Sequence, residues 1–298
     1  MTERPEVSFV VPSYRSRSTL GATLDSIRRQ HTCRCCETLV VDSSAEGTAE
    51  WINAAYPDIR IITSPSRLRP GEARNLGAGR ARGSYLAFLD ADARAEPNWL
   101  ETLHRRLNHD ASVQLTGGWV ANANPSSIAS RVLHWIEFSQ FLPGQTAAPR
   151  QSLSSSNLLI RREDFLKAGG FDPTFAMAED LIFCRKFAAR IYFEGSTGIR
   201  HFHRSQWGQV SSHLTRLGYW SGRYRREYPG RGSWLTRIPR LSFLLPFYRG
   251  PRILFRVWRT DWKEGLHCLF LLPAVTAGLF AWSGGFCRGI TRINLNRE

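Results

Sequence analysis

Apolar residues in the first ninety positions fall into short unbroken runs, and these alternate with longer stretches whose apolar positions recur every three or four residues. Val7-Ser8-Phe9-Val10-Val11 is one such run and stops at Pro12-Ser13-Tyr14; Thr38-Leu39-Val40-Val41 is a second and stops at Asp42-Ser43-Ser44. Short apolar runs bounded by turn formers predict buried strands. Between them Leu20, Leu24 and Ile27 share one side of a helix over about 18–30, because residues three and four apart lie on one helix face. The same logic predicts a helix over 48–56, a strand over 59–63, a helix over 71–81 and a strand at Tyr85–Leu89. Strands alternating with helices imply an α/β chain with a mostly parallel central sheet flanked by helices.

The fourth strand carries the most chemistry, because it ends abruptly in Asp90-Ala91-Asp92. In open α/β sheets ligands sit beyond the carboxyl ends of the strands. Two carboxylates one residue apart suit a hard divalent cation there, Mg²⁺ or Mn²⁺, which shares its coordination with substrate phosphates. The competing reading is a pair of turn aspartates on the way to Pro97. Polar groups end three strands on one edge, namely Ser13 with Tyr14, Asp42, and Asp90 with Asp92, so a mononucleotide-type site is expected across it.

Charge divides the chain in two. Of the net +15, residues 1–200 contribute +3 and residues 201–298 contribute +12, with sixteen Lys and Arg against four Asp and Glu in the last third. That basicity is interleaved with Trp, Phe and Leu, which fits either nucleic acid or an anionic membrane surface. No nucleic-acid-binding module accompanies it, so the membrane is preferred and no nucleic-acid partner is expected. Residues 265–287 contain no Asp, Glu, Lys or Arg, long enough for a spanning or re-entrant helix. Residues 237–262 alternate Arg with aromatic and apolar residues, as an interfacial anchor does. A buried amphipathic hairpin is the alternative. The expected organisation is a catalytic domain over 1–205 and a helical, basic, aromatic, membrane-associated tail over 206–298. The polar start, with a first apolar run of only five residues, predicts no N-terminal signal peptide. Three of six cysteines sit in Cys33-Arg34-Cys35-Cys36, a spacing that fits neither a zinc site nor a redox pair. Reduced thiols and a cytosolic domain are expected.

Several motifs together resemble the family-two, inverting, GT-A-fold nucleotide-sugar glycosyltransferases. They are Val10-Val11-Pro12-Ser13-Tyr14, Leu39-Val40-Val41-Asp42-Ser43-Ser44, Gly71-Glu72-Ala73-Arg74-Asn75-Leu76-Gly77 and the stretch from Ala81 to Asp92. Asn157-Leu158-Leu159-Ile160-Arg161-Arg162, Gly169-Gly170-Phe171-Asp172 and Glu179-Asp180 follow in the family's order, so the resemblance covers about residues 5–205. It implies a GT-A fold and a metal-dependent transfer of sugar from a nucleoside diphosphate sugar to an acceptor hydroxyl. The setting implied is cell-envelope, polysaccharide or glycolipid synthesis.

The resemblance also assigns roles. Asp92 would contact the metal directly, with Asp90 near the ribose or the metal's waters. Asp42 matches the base-recognising aspartate, which favours a UDP-sugar; a turn cap with Ser43 and Ser44 is its structural alternative. Pro12, Ser13 and Tyr14 would line the nucleotide pocket, and Arg74 would lie beside the donor diphosphate or ribose. Asp180 or Glu179 would be the catalytic base, unless the pair merely starts a helix. The family often carries a further acid where this chain has Ile182, which leaves the choice between the two open. Gly118 and Trp119 would lie on the acceptor side, Trp119 being alternatively a core residue. His201 and His203 alternate and would face one side if the segment is extended, so one of them, with His203 preferred, would complete the metal or diphosphate site; a surface or core histidine pair is the alternative. No Gln-x-x-Arg-Trp sequence occurs, unlike the family's processive synthases. A lipid-linked acceptor at the cytoplasmic face of the cell membrane is the resulting expectation. Two rivals remain: a sugar-nucleotide pyrophosphorylase-like enzyme, which would want a Gly-rich loop after the first strand, and an inactive membrane-surface nucleotide-sugar binder.

Overall fold

The computed structural model describes residues 4–32, 34–44, 46–230 and 233–291. Cys33 lies outside them, as do residues 1–3 and 292–298 at the two ends, so the expectations for the cysteine cluster and the signal peptide are only partly covered. Among the described residues Cys35, Cys36, Cys184, Cys268 and Cys287 are free thiols.

The chain forms two compact units, one from residues 1–120 and 145–201 and the other from 121–144 and 202–298. The expected boundary at 205 is thus corrected twice. The second unit begins at 202, and it also takes 121–144, whose helix has its apolar face committed to the helical core rather than to the sheet.

The first unit holds β1 (Val7–Ser13), α1 (Arg17–Arg28), β2 (Cys36–Asp42), α2 (Thr48–Ala55), β3 (Arg60–Thr63), α3 (Pro70–Arg80), β4 (Tyr85–Leu89), β5 (Ala93–Ala95) and α4 (Trp99–His109). β6 (Leu115–Asn122) runs to the boundary, and after α5 (Ile128–Phe138) of the second unit come β7 (Ala148–Pro149), β8 (Asn157–Arg161), α6 (Arg162–Lys167), α7 (Glu179–Arg185) and β9 (Ile191–His201). One nine-stranded sheet runs β3-β2-β1-β4-β8-β6-β9-β5, with β7 on β9. The α/β expectation holds, and the sheet is mixed. β1 to β4 pair in parallel, whereas β8 meets β4 antiparallel and β5, β6 and β7 also pair antiparallel. Parallel neighbours need a crossover helix, and the chain supplies one after each of the first three strands. Val7, Val10, Val11, Leu39, Val40 and Val41 are wholly buried, as expected of strands covered on both faces. α3 lies close on this half because of Gly77, where a Cβ would come 2.4 Å from Val10 Cγ1.

The second unit contains α5, α8 (Trp207–Glu227), α9 (Leu245–Thr260), α10 (Trp262–Phe270) and α11 (Leu272–Thr291). Its core joins Val132, Ile136, Leu214, Ile253, Val275 and Leu279, among others. α8 and α11 touch backbone to backbone through two pairs of glycines four residues apart. A Cβ on Gly218 would lie 1.9 Å from the Trp282 carbonyl oxygen, and one on Gly285 1.9 Å from that of Thr215. Gly222 and Gly289 make equivalent approaches to Phe286 and Tyr219 at 2.3 and 2.0 Å. No single helix among the described residues is long and apolar enough to cross a membrane. The uncharged stretch 265–287 is split between α10 and α11, which together have the length and composition of a span but are bent by 72°.

Candidate active site

Three parallel strands deliver polar residues to one edge of the sheet. Ser13 is the register partner of Asp42, and Asp42 that of Thr63; β4 ends one residue before Asp90. The Asp42 carboxylate is buried and accepts from Ser13 Oγ at 2.7 Å, from the Ser44 N–H at 3.2 Å and from Ser44 Oγ at 2.7 Å. Both expectations for Asp42 therefore meet in one residue. It organises its turn, and it also lines a cavity of about 170 Å³ together with Glu46, Gly47, Thr48, Glu50 and Thr63. A carboxylate has about four acceptor positions, so a donor on a ligand can still be received. Pro12 and Tyr14 are half-buried beside it. The Tyr14 ring carries the Arg67 guanidinium at 4.3 Å and that of Arg15 at 5.4 Å. Arg15 has φ of 53°, a conformation that costs energy outside glycine and tends to occur at functional turns. The sequence pattern missed Arg67, which lies between β3 and α3 in a loop without periodicity.

Asp90, Asp92 and His201 form the acidic corner. Each offers one ligand atom, and these atoms lie within 4.8 Å of one another. His201 Nε2 is 3.2 Å from Asp92 Oδ1. β5 follows directly on Asp92 and pairs with the end of β9, with Ala93 opposite His201, so the sheet itself fixes the histidine beside the carboxylates. Two carboxylates and one imidazole suit Mn²⁺ or Mg²⁺ in an incomplete shell that leaves positions for phosphate oxygens. The preference for His203 as the metal-site histidine is corrected by this geometry. The two histidines share a face only while the chain stays extended, and β9 ends at His201. His203 belongs to the helical unit, where its Nε2 lies 3.0 Å from His134 Nδ1 and its backbone N–H and C=O bind the Asn124 side chain.

Arg74 does something other than expected. It is 2% exposed, and its guanidinium donates to Asp90 Oδ1 at 2.5 Å and to Glu179 Oε1 at 2.8 Å. Burial works against its charge, but the two carboxylates outweigh this and hold its pKa above the ordinary value. The guanidinium is thus engaged by two acids, and it links the end of β4 to the start of α7. Glu179 is 5% exposed and also accepts from Ser155 Oγ at 3.3 Å. Held from both sides, it is poorly placed to receive an acceptor's proton, which turns the open choice toward Asp180. Asp180 is half-buried, and its Oδ1 accepts from the Leu181 N–H at 2.8 Å. Burial, followed by the charge of Glu179, pushes its pKa up to about 7. A carboxylate poised near neutrality has the basicity that proton abstraction wants. Ala178, immediately before the pair, has φ of 66°, so the backbone there is strained into a left-handed turn.

Trp119 is half-buried on β6, packed so closely over Gly198 that a Cβ there would come 2.4 Å from the indole. Gly118 is required by the same approach, since its Cβ would lie 2.1 Å from the Thr197 carbonyl oxygen. The Asn157 side chain bridges both, donating to the Gly118 and Trp119 carbonyls at 2.7 and 3.0 Å.

The Glycosyl transferase family 2 model matches residues 8–178. Over 163 residues the chain is 33% identical to the succinoglycan biosynthesis protein ExoO of Rhizobium meliloti, covering 53% of this chain and 44% of that protein. It is 27% identical over 216 residues to the pre-mycofactocin glycosyltransferase of Mycobacterium tuberculosis, covering 67% and 43%. The chain thus spans less than half the length of these relatives. Among solved structures, the mannosyltransferase PcManGT of Pyrobaculum calidifontis, in complex with GDP-Man and Mn²⁺, superposes with a TM-score of 0.66 at 16% identity, covering 98% of this chain and 89% of that one. S. aureus TarS 1-349 in complex with UDP gives 0.56 at 14% identity, covering 98% and 93%. The fold is that of the GT-A glycosyltransferases. With more than half of its length matched by the family model and an Asp-x-Asp corner closing its fourth strand, the chain belongs to glycosyl transferase family 2.

Proposed function

We propose that this glycosyltransferase is metal-dependent and inverting, and moves a sugar from a nucleoside diphosphate sugar, with a UDP-sugar favoured, to an acceptor hydroxyl. One observation carries the reading: nucleotide-side, metal-side and base-side acids gather on one unit, with Arg74 tying Asp90 to Glu179 beside Asp180. Asp90, Asp92 and His201 would hold Mn²⁺ or Mg²⁺; the donor set fits either ion. Such an ion supplies charge neutralisation for the departing diphosphate. Mn²⁺ also accompanies the nucleotide sugar in the PcManGT structure.

The rest falls to the chain's own side chains. Asp42 accepts from an imide N–H of the base, which uracil has. The Arg67 and Arg15 guanidinia over Tyr14 give the nucleotide end positive charge. Arg74 acts as a positioning residue that fixes the Asp90 carboxylate and holds Glu179 off the acceptor. Asp180 takes the proton of the acceptor hydroxyl as it attacks the anomeric carbon, and attack from the face opposite the leaving group inverts that centre. Trp119, with Gly118, serves the acceptor side by stacking on a sugar ring. The acceptor is read as lipid-linked and the site as facing the cytoplasm at the cell membrane, in cell-envelope or glycolipid synthesis, because the same chain carries the basic aromatic unit.

A pyrophosphorylase is disfavoured by Pro12-Ser13-Tyr14-Arg15-Ser16, in which β1 ends and turns into the next segment without a glycine. The deciding experiment offers a panel of nucleotide sugars with Mn²⁺ and follows both nucleoside diphosphate release and the anomeric configuration of the product by NMR. The reading expects release from a UDP-sugar, lost on Asp92→Ala and on Asp180→Asn, and an inverted product. A binder that turns over no donor, or a product of retained configuration, would sink it.

A further inference from the structure

Sixteen large apolar side chains are exposed among the described residues, and thirteen of them lie between Trp234 and Phe280 in the helical unit. They are arranged in stripes. On α9, Pro246, Gly250, Ile253 and Val257 face the core. At 3.6 residues per turn the opposite side presents Phe247, Tyr248, Phe255 and Trp258, with the exposed Arg252 and Arg259 along one flank. On α10, Gly265 and Cys268 face inward, while Trp262, Leu266, Leu269 and Phe270 form an outward stripe, Phe270 being 85% exposed. Phe247 meets Phe280 of α11 edge to face at 5.8 Å, so the outer aromatics continue from one helix to the next.

Charge points to what covers this surface. Between 233 and 291 there are eight Lys and Arg against two acids, Asp261 and Glu264. Both acids are engaged: Asp261 caps α10 through the Lys263 and Glu264 N–H groups, and Glu264 lies 3.6 Å from Arg131. Aromatic residues directed outward beside a stripe of arginines match a boundary that is apolar below and anionic above. A span is disfavoured by the packing. α10 and α11 meet at 72° rather than in line, and α11 gives its inner face to α8 at backbone contact through Gly285 and Gly289 and Val275, Leu279 and Phe286 to the helical core.

We infer that the outward faces of α9 and α10 form an in-plane platform that inserts aromatic side chains into the headgroup boundary of an anionic bilayer, attaching the enzyme peripherally without crossing. The platform lies wholly in the helical unit, so it stands or falls independently of the reading of the catalytic unit.

The test uses the full chain with vesicles of neutral phosphatidylcholine and of phosphatidylcholine with about a third phosphatidylglycerol. Wild type is expected to sediment with the anionic vesicles and to be released by alkaline carbonate. Phe255→Ser/Trp262→Ser/Phe270→Ser should weaken binding to both vesicle types about tenfold or more. Arg252→Gln/Arg259→Gln should weaken binding to anionic vesicles alone, by about fivefold per arginine. Unchanged melting and unchanged donor hydrolysis establish that these variants are folded; should the aromatic variant unfold, the arginine variant and the wild-type lipid preference still decide. The inference is overturned by wild type that ignores both vesicles, by an aromatic variant that binds as wild type does, or by protein that resists carbonate. A concentration-dependent dimer abolished by the aromatic variant would equally overturn it, by assigning the face to a second copy.

Discussion

The two units treat charge in opposite ways. The catalytic unit draws it inward: Arg74 is buried between Asp90 and Glu179, and Glu37, itself nearly buried, takes Arg60 and Arg82 at 2.8 and 3.1 Å. The helical unit turns more of it outward, with Arg252 and Arg259 on the surface among exposed aromatics, while Arg249 folds in over Trp282 at 4.1 Å and Arg226 donates to the Gly289 carbonyl. A buried ion pair adds little net stability because desolvation consumes its attraction, but it fixes the direction of each partner. Arg74 thereby fixes the directions of Asp90 and Glu179. Outward arginines fix no geometry and act as a diffuse field, which suits adhesion rather than chemistry. Only Phe202 separates His201 from His203, yet they fall on opposite sides of this division.

The contrast can be broken most forcefully at Asp180. Asp180→Asn should lower kcat by about 10²- to 10⁴-fold with donor affinity kept, measured by turnover and nucleotide titration. The same variant carries a stability signature. The folded pKa of Asp180 lies near 7, above its ordinary value, so the carboxylate's adverse effect is absent below about pH 4, grows between about pH 4 and 7 and is complete above 7. Asp180→Asn should therefore melt higher than wild type at pH 8, by less at pH 5 and nearly equally at pH 3; the reverse order would remove the buried-base interpretation. In wild type, kcat/KM should rise with pH to a plateau, with a midpoint near 7.

Next in size is Arg74→Leu, which strands two carboxylates. Denaturant unfolding should show a loss of about 3–5 kcal/mol, partly restored by Asp90→Asn or Glu179→Gln in the same chain. Recovery by neither would mean that the guanidinium serves packing alone. The helical unit should feel Gly218→Ala by about 1–3 kcal/mol or more, because the new methyl meets a carbonyl oxygen 1.9 Å away; thermal unfolding reads it. The smallest and sharpest comparison sets His201→Ala against His203→Ala. The first should weaken Mn²⁺ binding about tenfold or more by calorimetry, whereas the second should leave Mn²⁺ affinity unchanged and lower only the melting temperature. Equal effects would restore His203 to the metal.

Much of this was legible in the residues. The alternation of apolar runs with helical periodicity placed β1 to β4 and α1 to α3 within about two residues, because β1, β2 and β4 are largely buried on both faces and each helix on one. The strand-end positions of Asp42, Asp90 and Asp92 followed from the same pattern. What could not be read depends on contacts between residues distant in sequence. Sixteen residues separate Arg74 from Asp90 and 105 separate it from Glu179, and nothing local distinguishes a guanidinium that meets a phosphate from one that meets two carboxylates. The preference for His203 failed because side-chain alternation holds only as far as a strand extends, and the ladder between β5 and β9 decides where that is. Residues 265–287 gave composition and length, but the bend between α10 and α11 and the glycine contacts to α8 emerged only on packing. The sequence by itself determined which residues could do the chemistry and that the last third was basic and aromatic. Tertiary structure decided which carboxylates Arg74 engages, which histidine lies beside the aspartates and which aromatics stay outside, since each depends on the neighbours a side chain acquires when the chain folds.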